Sequence, residues 1–442
     1  MKRFCSFSLR SAVQNTLSNP QSRLLLLFGF EGLLLQYAVS LNSIGNNLYA
    51  TNLGATDTQI GLVTTIPNLA AVLLMIPCGI LSNRTRCSRT VPMVLLLIMG
   101  GAYFGLGTVP AIGKDPMASY FFFLAMTTGG IALYNAQWQT FFADAVHLNQ
   151  RHQAFAVRNR CMFLIGIFVP LLCGSLMALR PDTEGKLWVL RVFYYLAGAC
   201  MIGQALLLRR IPCPLRREED RGEKMGLALF RQALGHMFGH RAFRSFFAAI
   251  LLFYFAWHID WSLWYIAEIQ YAGMNEAQLS LFQALCSTCQ MLSIGFFTRL
   301  CREKSEHYVF LFACLGLFLC PVMVATMLFL PMGARVPYFI LLGLIGNIPQ
   351  GMISMCTVQM LLQVTPVKNR ALIVSIYTLF ITLSNSLLPL LGVWLYTCLG
   401  ANARALGLIC VFVAIARAGV VLIMTGRYRR LKKSGDLFRP LA

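Results

Sequence analysis

LLLLFGFEGLLLQYAVSLNSIGNNLYATNLGATDTQIGL, residues 24–62, decides how the chain is built. Its first part, 24–49, holds a single charged side chain, Glu31. A bilayer core of about 30 Å needs about 20 apolar residues per helix, so this run is long enough to span one. The polar motif that follows, Gly54-Ala-Thr-Asp57-Thr-Gln59-Ile-Gly-Leu62, returns 219 positions later as Gly273-Met-Asn-Glu276-Ala-Gln278-Leu-Ser-Leu281. The same offset of 219 carries Arg151 onto Arg370. Two landmarks sharing one offset mark an internal duplication.

Working outward, twelve apolar runs of spanning length follow one another. Spans 1 to 6 are predicted near 24–49, 60–82, 92–112, 119–143, 161–179 and 188–208. Spans 7 to 12 are predicted near 244–269, 277–299, 308–330, 337–362, 371–396 and 403–425. Six spans per copy give both copies the same orientation, a parallel repeat, which in transporters places the substrate site at the midplane between the halves. The expected units are a six-helix bundle over 1–208, a linker over 209–243, and a second bundle with a basic tail over 244–442. In the linker, Phe230, Ala233, Leu234, Met237 and Phe238 recur at helical spacing, which predicts an amphipathic helix at the membrane interface. The fold class is thus an all-α membrane protein of twelve transmembrane helices in two pseudo-symmetric bundles.

Composition agrees. The chain is 57% hydrophobic and 12% charged, against about 25% charged in a soluble domain. Its net charge of +21 could suggest nucleic acid, but the basic residues lie in the connections between apolar runs, which excludes that partner class. Of the 37 Lys and Arg residues, 30 fall at the termini, in the linker or in the connections that follow even-numbered spans. The opposite side has six: Lys114, Arg180, Lys186, Arg191, Arg335 and Arg404. This split predicts both termini in the cytoplasm of a cell-membrane protein. The first 23 residues, with Lys2, Arg3 and Arg10, lack the apolar core of a cleavable signal, so span 1 is expected to stay. Most of the 15 cysteines sit inside apolar runs, and Cys286-x-x-Cys289 lacks two further ligands, so no metal or cofactor is expected. No Walker loop, zinc spacing or nucleophile elbow occurs, and no enzymatic or ATP-driven activity is expected.

Polar residues inside the spans indicate the pathway, because a charge in the bilayer usually faces a cavity or a partner. Span 1 carries Glu31 and Asn42 on one face, with Asn46 nearby. Span 4 carries Tyr134, Asn135 and Trp138, with Gln137 beside them. Span 7 carries Trp257, Asp260 and Trp264 on one face and turns His258 away. Span 10 carries Asn347 and Gln350. Spans 1, 4, 7 and 10 are therefore expected to line the pathway, and the nearly apolar spans 3, 6, 9 and 12 to face lipid.

Glu31 and Asp260 could carry protons or anchor substrate, or could be structural pairs. Asn42, Asn46, Asn347 and Gln350 could bind solute or hold helices together. Trp138, Trp261 and Trp264 could form an aromatic wall or simply pack. Arg417, well inside span 12, is expected to snorkel to the interface. Asp144 is expected to pair with Arg151 or Arg158.

The loop after span 2, Gly79-Ile-Leu-Ser-Asn83-Arg84-Thr-Arg86-Cys-Ser-Arg89, resembles the signature of the major facilitator superfamily. Asn83 stands where that family has Asp, and Arg86 where it has Gly. Asp144, Arg151, Arg158 and Arg160, and Pro366-Val-Lys-Asn-Arg370, are similar to its cytoplasmic charge clusters. Gly166, Pro170 and Gly174 echo the glycine-proline pattern of its drug–proton antiporters. The resemblance implies two bundles rocking about a central site lined by spans 1, 4, 7 and 10.

The expected function is secondary active transport of a small organic solute, proton-coupled through Glu31 or Asp260, by a monomer. An uncoupled facilitator, or a non-transporting sensor or assembly factor on the same scaffold, remain as alternatives.

Overall fold

A computed structural model describes residues 20–55, 57–111, 115–180, 182–215, 227–274, 276–366 and 370–437. Lys2, Arg3, Arg10, Lys114, Lys368 and the charged run 216–220 lie outside the described residues. Every regular element among the described residues is helical, and twelve are long and apolar enough to cross a membrane.

The first half comprises span 1 (Pro20–Asn52), span 2 (Asp57–Arg84), span 3 (Thr90–Thr108), span 4 (Pro116–Ala145), span 5 (Arg151–Ala178) and span 6 (Thr183–Arg210). A connecting helix, Leu227–Gly239, precedes span 7. Span 7 is built in pieces: Arg241–His258, Trp261–Ile266 and a π-helical turn at Ala267–Tyr271. Spans 8 (Glu276–Lys304) and 9 (Glu306–Met327) follow. Span 10 is also interrupted, running Met332–Asn347, a 3-10 turn at Ile348–Met352, then Ile353–Val364. Spans 11 (Arg370–Cys398) and 12 (Ala403–Ser434) complete the chain.

Local chemistry sets several ends. Asp115 caps span 4 by accepting from the amides of Met117 and Ala118, with Pro116 at the first helical position. Asp182 and Asn402 cap spans 6 and 12 in the same way. The duplicated motif shares a backbone shape as well as residues. Gly54 and Gly273 both adopt positive φ, 86° and 74°, a conformation that favours glycine over residues with a Cβ.

Packing within each half is dense. Span 1 lies along spans 5 and 6, span 2 along span 4, and span 9 along spans 10 and 12. Between the halves, span 11 runs against spans 2 and 4, and span 8 against span 5. Spans 3, 6, 9 and 12 expose apolar side chains on one face, such as Leu97, Leu206, Leu315 and Phe412. Their other faces turn inward and bury Gln204 and Arg417. The connecting helix packs Ala233 and Met237 into the protein while Phe238 stays exposed, so it is amphipathic but docked.

Span 5 begins at Arg151, ten residues before the predicted start at 161. Arg158 and Arg160 therefore belong to the helix, not to the loop cluster expected from their charge. A buried acid on span 1 makes it possible for Arg158 to lie inside the bundle.

Candidate functional site

Three polar clusters interrupt the apolar interior. The first joins the halves on the face that carries the described ends of spans 1 and 12. Asn83 at the end of span 2 accepts from the Ala371 amide at 3.0 Å. Gln137 on span 4 donates to Ser375 Oγ at 2.8 Å. Gly79 fits there because a Cβ would lie 2.4 Å from that same Ser375 Oγ. Asp144 accepts from Arg370 at 3.2 Å, a partner on the other half. The loop reading, which paired Asp144 with Arg151 or Arg158, did not reach across the halves. Arg151 donates to the carbonyls of Ala143 and Val146 at the end of span 4.

The remainder of the signature loop braces the first half. Arg89 donates to the carbonyls of Arg209 and Ile211 beyond span 6. The neighbouring Cys87 thiol and the Ser88 hydroxyl, 3.4 Å from Cys213 Sγ, hold the Cys213 thiol below its usual range against the opposing effect of burial. Arg84 and Arg86 are exposed.

The second cluster surrounds Glu31, which is fully buried. Arg158 binds both carboxylate oxygens, at 2.6 and 3.3 Å. Tyr134 donates to Glu31 at 2.6 Å, and Gln204 donates to both Glu31 and Tyr134. The Arg158 guanidinium lies 4.0 Å from the centre of the Trp138 ring, which also stacks on Phe142. Four spans thus meet on one carboxylate, and Trp138 packs inside the half. Asn42 accepts from Tyr103. Asn46 accepts from Tyr194 and donates to Thr128. Both amides hold helices together here, and Asn135 on span 4 is exposed.

The third cluster lines two adjoining cavities, one of about 220 Å³ inside the second half and one of about 530 Å³ between the halves. They share Trp261, Trp264 and Asn347. The smaller also meets Trp257, Asp260, Gln350 and Arg417. The larger meets Gln36, Ser40 and Ser43 of span 1, Gly166 and Pro170 of span 5, and Gln283, Ser287 and Gln290 of span 8. The structure therefore brings Trp257, Asp260, Trp264, Asn347 and Gln350 together, and leaves Glu31, Asn42 and Asn46 in the first half.

Arg417 forms an ion pair with Asp260 in the buried wall of this site. It does not snorkel. The reason lies in carbonyls that lose their helical partners. The break in span 7 after His258 leaves the carbonyls of Ala256 and Trp257 available, and Arg417 donates to both at 2.9 and 3.2 Å. Pro321 has no amide hydrogen for the Leu317 carbonyl, and Arg417 supplies that bond too, at 2.6 Å. A guanidinium with five N–H groups suits this set of acceptors. Span 11 approaches the break closely. A Cβ on Gly392 would lie 1.9 Å from the Ile259 carbonyl oxygen, and Ser384 hydrogen-bonds His258 at 3.0 Å.

Glu268 is the cavity residue that periodicity missed. It sits in the π-helical turn, is 8% exposed, and accepts from the Trp264 indole at 2.7 Å. Read as an unbroken α-helix, span 7 places Glu268 at its polar end; the signal was the i, i+4 spacing from Trp264. The glycine-proline pattern of span 5 divides: Gly166 and Pro170 line the larger cavity, while Gly174 has open space around it.

The family model of the major facilitator superfamily matches residues 32–356. No curated protein sequence matches the chain. Among solved structures, the human organic anion transporter MFSD10 (TETRAN) superposes with a TM-score of 0.70 at 14% identity, covering 92% of this chain and all of that one. The E. coli fucose:proton symporter FucP gives 0.67 at 15% identity, covering 91% and 98%. The proton:xylose symporter XylE gives 0.68 at 14%, covering 89% and 94%. At these identities the likeness is one of fold.

Proposed function

The chain belongs to the major facilitator superfamily, and we propose that within it the protein is a monomeric secondary active transporter coupled to protons. It is a multi-pass membrane protein. In this reading a small organic solute enters the cavity between the halves and reaches the adjoining one in the second half, where Asp260 carries the coupling proton. The termini face, with its basic connections, is the cytoplasmic face of a cell membrane. A sugar–proton symporter such as FucP or XylE shares the scaffold, which supports coupling without naming the solute.

The single observation that carries the reading is the Asp260–Arg417 pair in the cavity wall, at the break in span 7. A proton reaching Asp260 removes its charge and weakens its hold on Arg417. The guanidinium keeps three carbonyl partners, so the half survives while the Asp260 side chain is released. A solute in the cavity touches Trp257 before that break and Trp261 and Trp264 after it. Glu31 is assigned a bracing role instead, since Arg158, Tyr134 and Gln204 occupy its oxygens.

Purified protein in liposomes with an internal pH dye tests this against pools of sugars, amino acids, organic acids and organic cations. Solute-dependent proton movement is expected, lost in Asp260→Asn and retained in Glu31→Gln protein that still folds. Solute equilibrating without proton movement would instead make the protein a facilitator.

A further inference from the structure

The carboxylate in the larger cavity faces no cationic side chain among the described lining residues. Glu268 lines the larger cavity, and among the described residues its one bonded partner is the uncharged indole of Trp264. Among the described lining residues the only Lys or Arg is Arg417, whose guanidinium is spent on Asp260 and three carbonyls. A carboxyl in such a place either holds a proton or meets a positive partner, because burying an uncompensated charge is costly, and a cationic ligand supplies that partner.

The neutral lining groups point the same way. The amide nitrogen of Gln290 donates to the Asn347 carbonyl at 2.9 Å, that of Asn347 to the Gly343 carbonyl at 2.8 Å, and that of Gln350 to the Gly346 carbonyl at 3.2 Å. A backbone carbonyl can be met only by the nitrogen side of an amide, so these contacts fix which way each side chain is turned. Their oxygens are the ends left without a donor among the described residues. Beside them stand Trp257 and Trp261, stacked with centroids 5.7 Å apart, and Trp261 is half-exposed. Indole faces attract cations more strongly than other aromatic rings.

We propose that the solute is an organic monocation, an N–H-donating ammonium or guanidinium attached to a flat ring. Its head group binds Glu268 and the amide oxygens of Gln290 and Asn347, which line the same cavity, and its ring lies against Trp261. The assignment rests on the transporter reading of this cavity and names its substrate class.

The test uses full-length protein in lipid nanodiscs, read by tryptophan fluorescence and thermal unfolding. The probes share a phenyl ring and differ in head group: phenethylammonium and phenylguanidinium, benzyl alcohol, and phenylacetate. Methyl glucoside is added as a polyol. Saturable binding of the two cations alone is expected. Glu268→Gln should weaken it by about tenfold or more, the loss of one charge-assisted hydrogen bond, with Glu268→Asp in between. Tighter binding of phenylacetate or the glucoside, absence of saturation by both cations at millimolar concentration, or cation binding unchanged in Glu268→Gln would overturn the proposal. The probe series on the unmodified protein decides even where a variant fails to fold. Cations that bind through Glu268 but never enter liposomes would sink the transport reading and leave this one standing. A neutral or anionic solute carried with protons would do the reverse.

Discussion

Arg417 shows how one side chain can hold an irregular region in order. It closes three carbonyls left open by Pro321 and by the break in span 7, and it neutralises Asp260. Removing one partner of a buried ion pair costs about 3–5 kcal/mol, because the other charge stays buried. The two partners are not equivalent, however. Arg417→Gln strands a carboxylate and three carbonyls, whereas Asp260→Asn leaves the guanidinium with three acceptors. Thermal or denaturant unfolding in detergent should therefore rank Arg417→Gln well below Asp260→Asn in stability. The reverse order would mean that the carbonyl bonds contribute little.

At the scale of elements, the breaks in spans 7 and 10 place the cavity residues. Gly392 allows span 11 to press against the break in span 7, with 1.9 Å between its missing Cβ and the Ile259 oxygen. Gly392→Ala should cost at least the 1–3 kcal/mol typical of an overpacked core, about the range seen elsewhere, and should lower uptake. Gly174→Ala is the control, since nothing lies within 4 Å of that Cβ and alanine favours helix by about 1 kcal/mol. Equal behaviour of the two in unfolding and uptake assays would remove the close approach from the account.

Much of this scale was legible in the sequence. Hydropathy located all twelve spans, and helical period put Trp257, Asp260 and Trp264 on one face. The pairs that matter most were not legible. Glu31 with Arg158, Asp260 with Arg417 and Asp144 with Arg370 are separated by 127, 157 and 226 positions, and no local pattern links them. Arg158 looked like a loop charge because span 5 starts with polar residues, and Arg417 like a snorkelling one because its partner lies five spans away. Glu268 was hidden by the π-helical turn, where a regular α-helical period no longer applies.

For the whole molecule, the two halves meet through different surfaces on the two faces of the membrane. On the termini face, Asn83, Gln137 and Asp144 bond to span 11 across the divide. The larger cavity lies on the same divide, and the smaller opens beside it within the second half, next to the break in span 7. Alternating access requires that loosening the first contact set be matched by closure on the other face, because packed interfaces are bistable. The Asp144–Arg370 pair biases that balance toward the arrangement described here.

Distances between spin labels measure this directly. One pair sits on the termini face, at Arg86 and Arg302, and the other on the opposite face, at Thr51 and Leu399; all four positions are exposed. Asp144→Asn, which weakens the contact with Arg370, should produce a population in which the Arg86–Arg302 distance lengthens while the Thr51–Leu399 distance shortens. If the first distance lengthens and the second stays fixed, or if neither changes, the halves do not rock about the cavity and the transporter account fails.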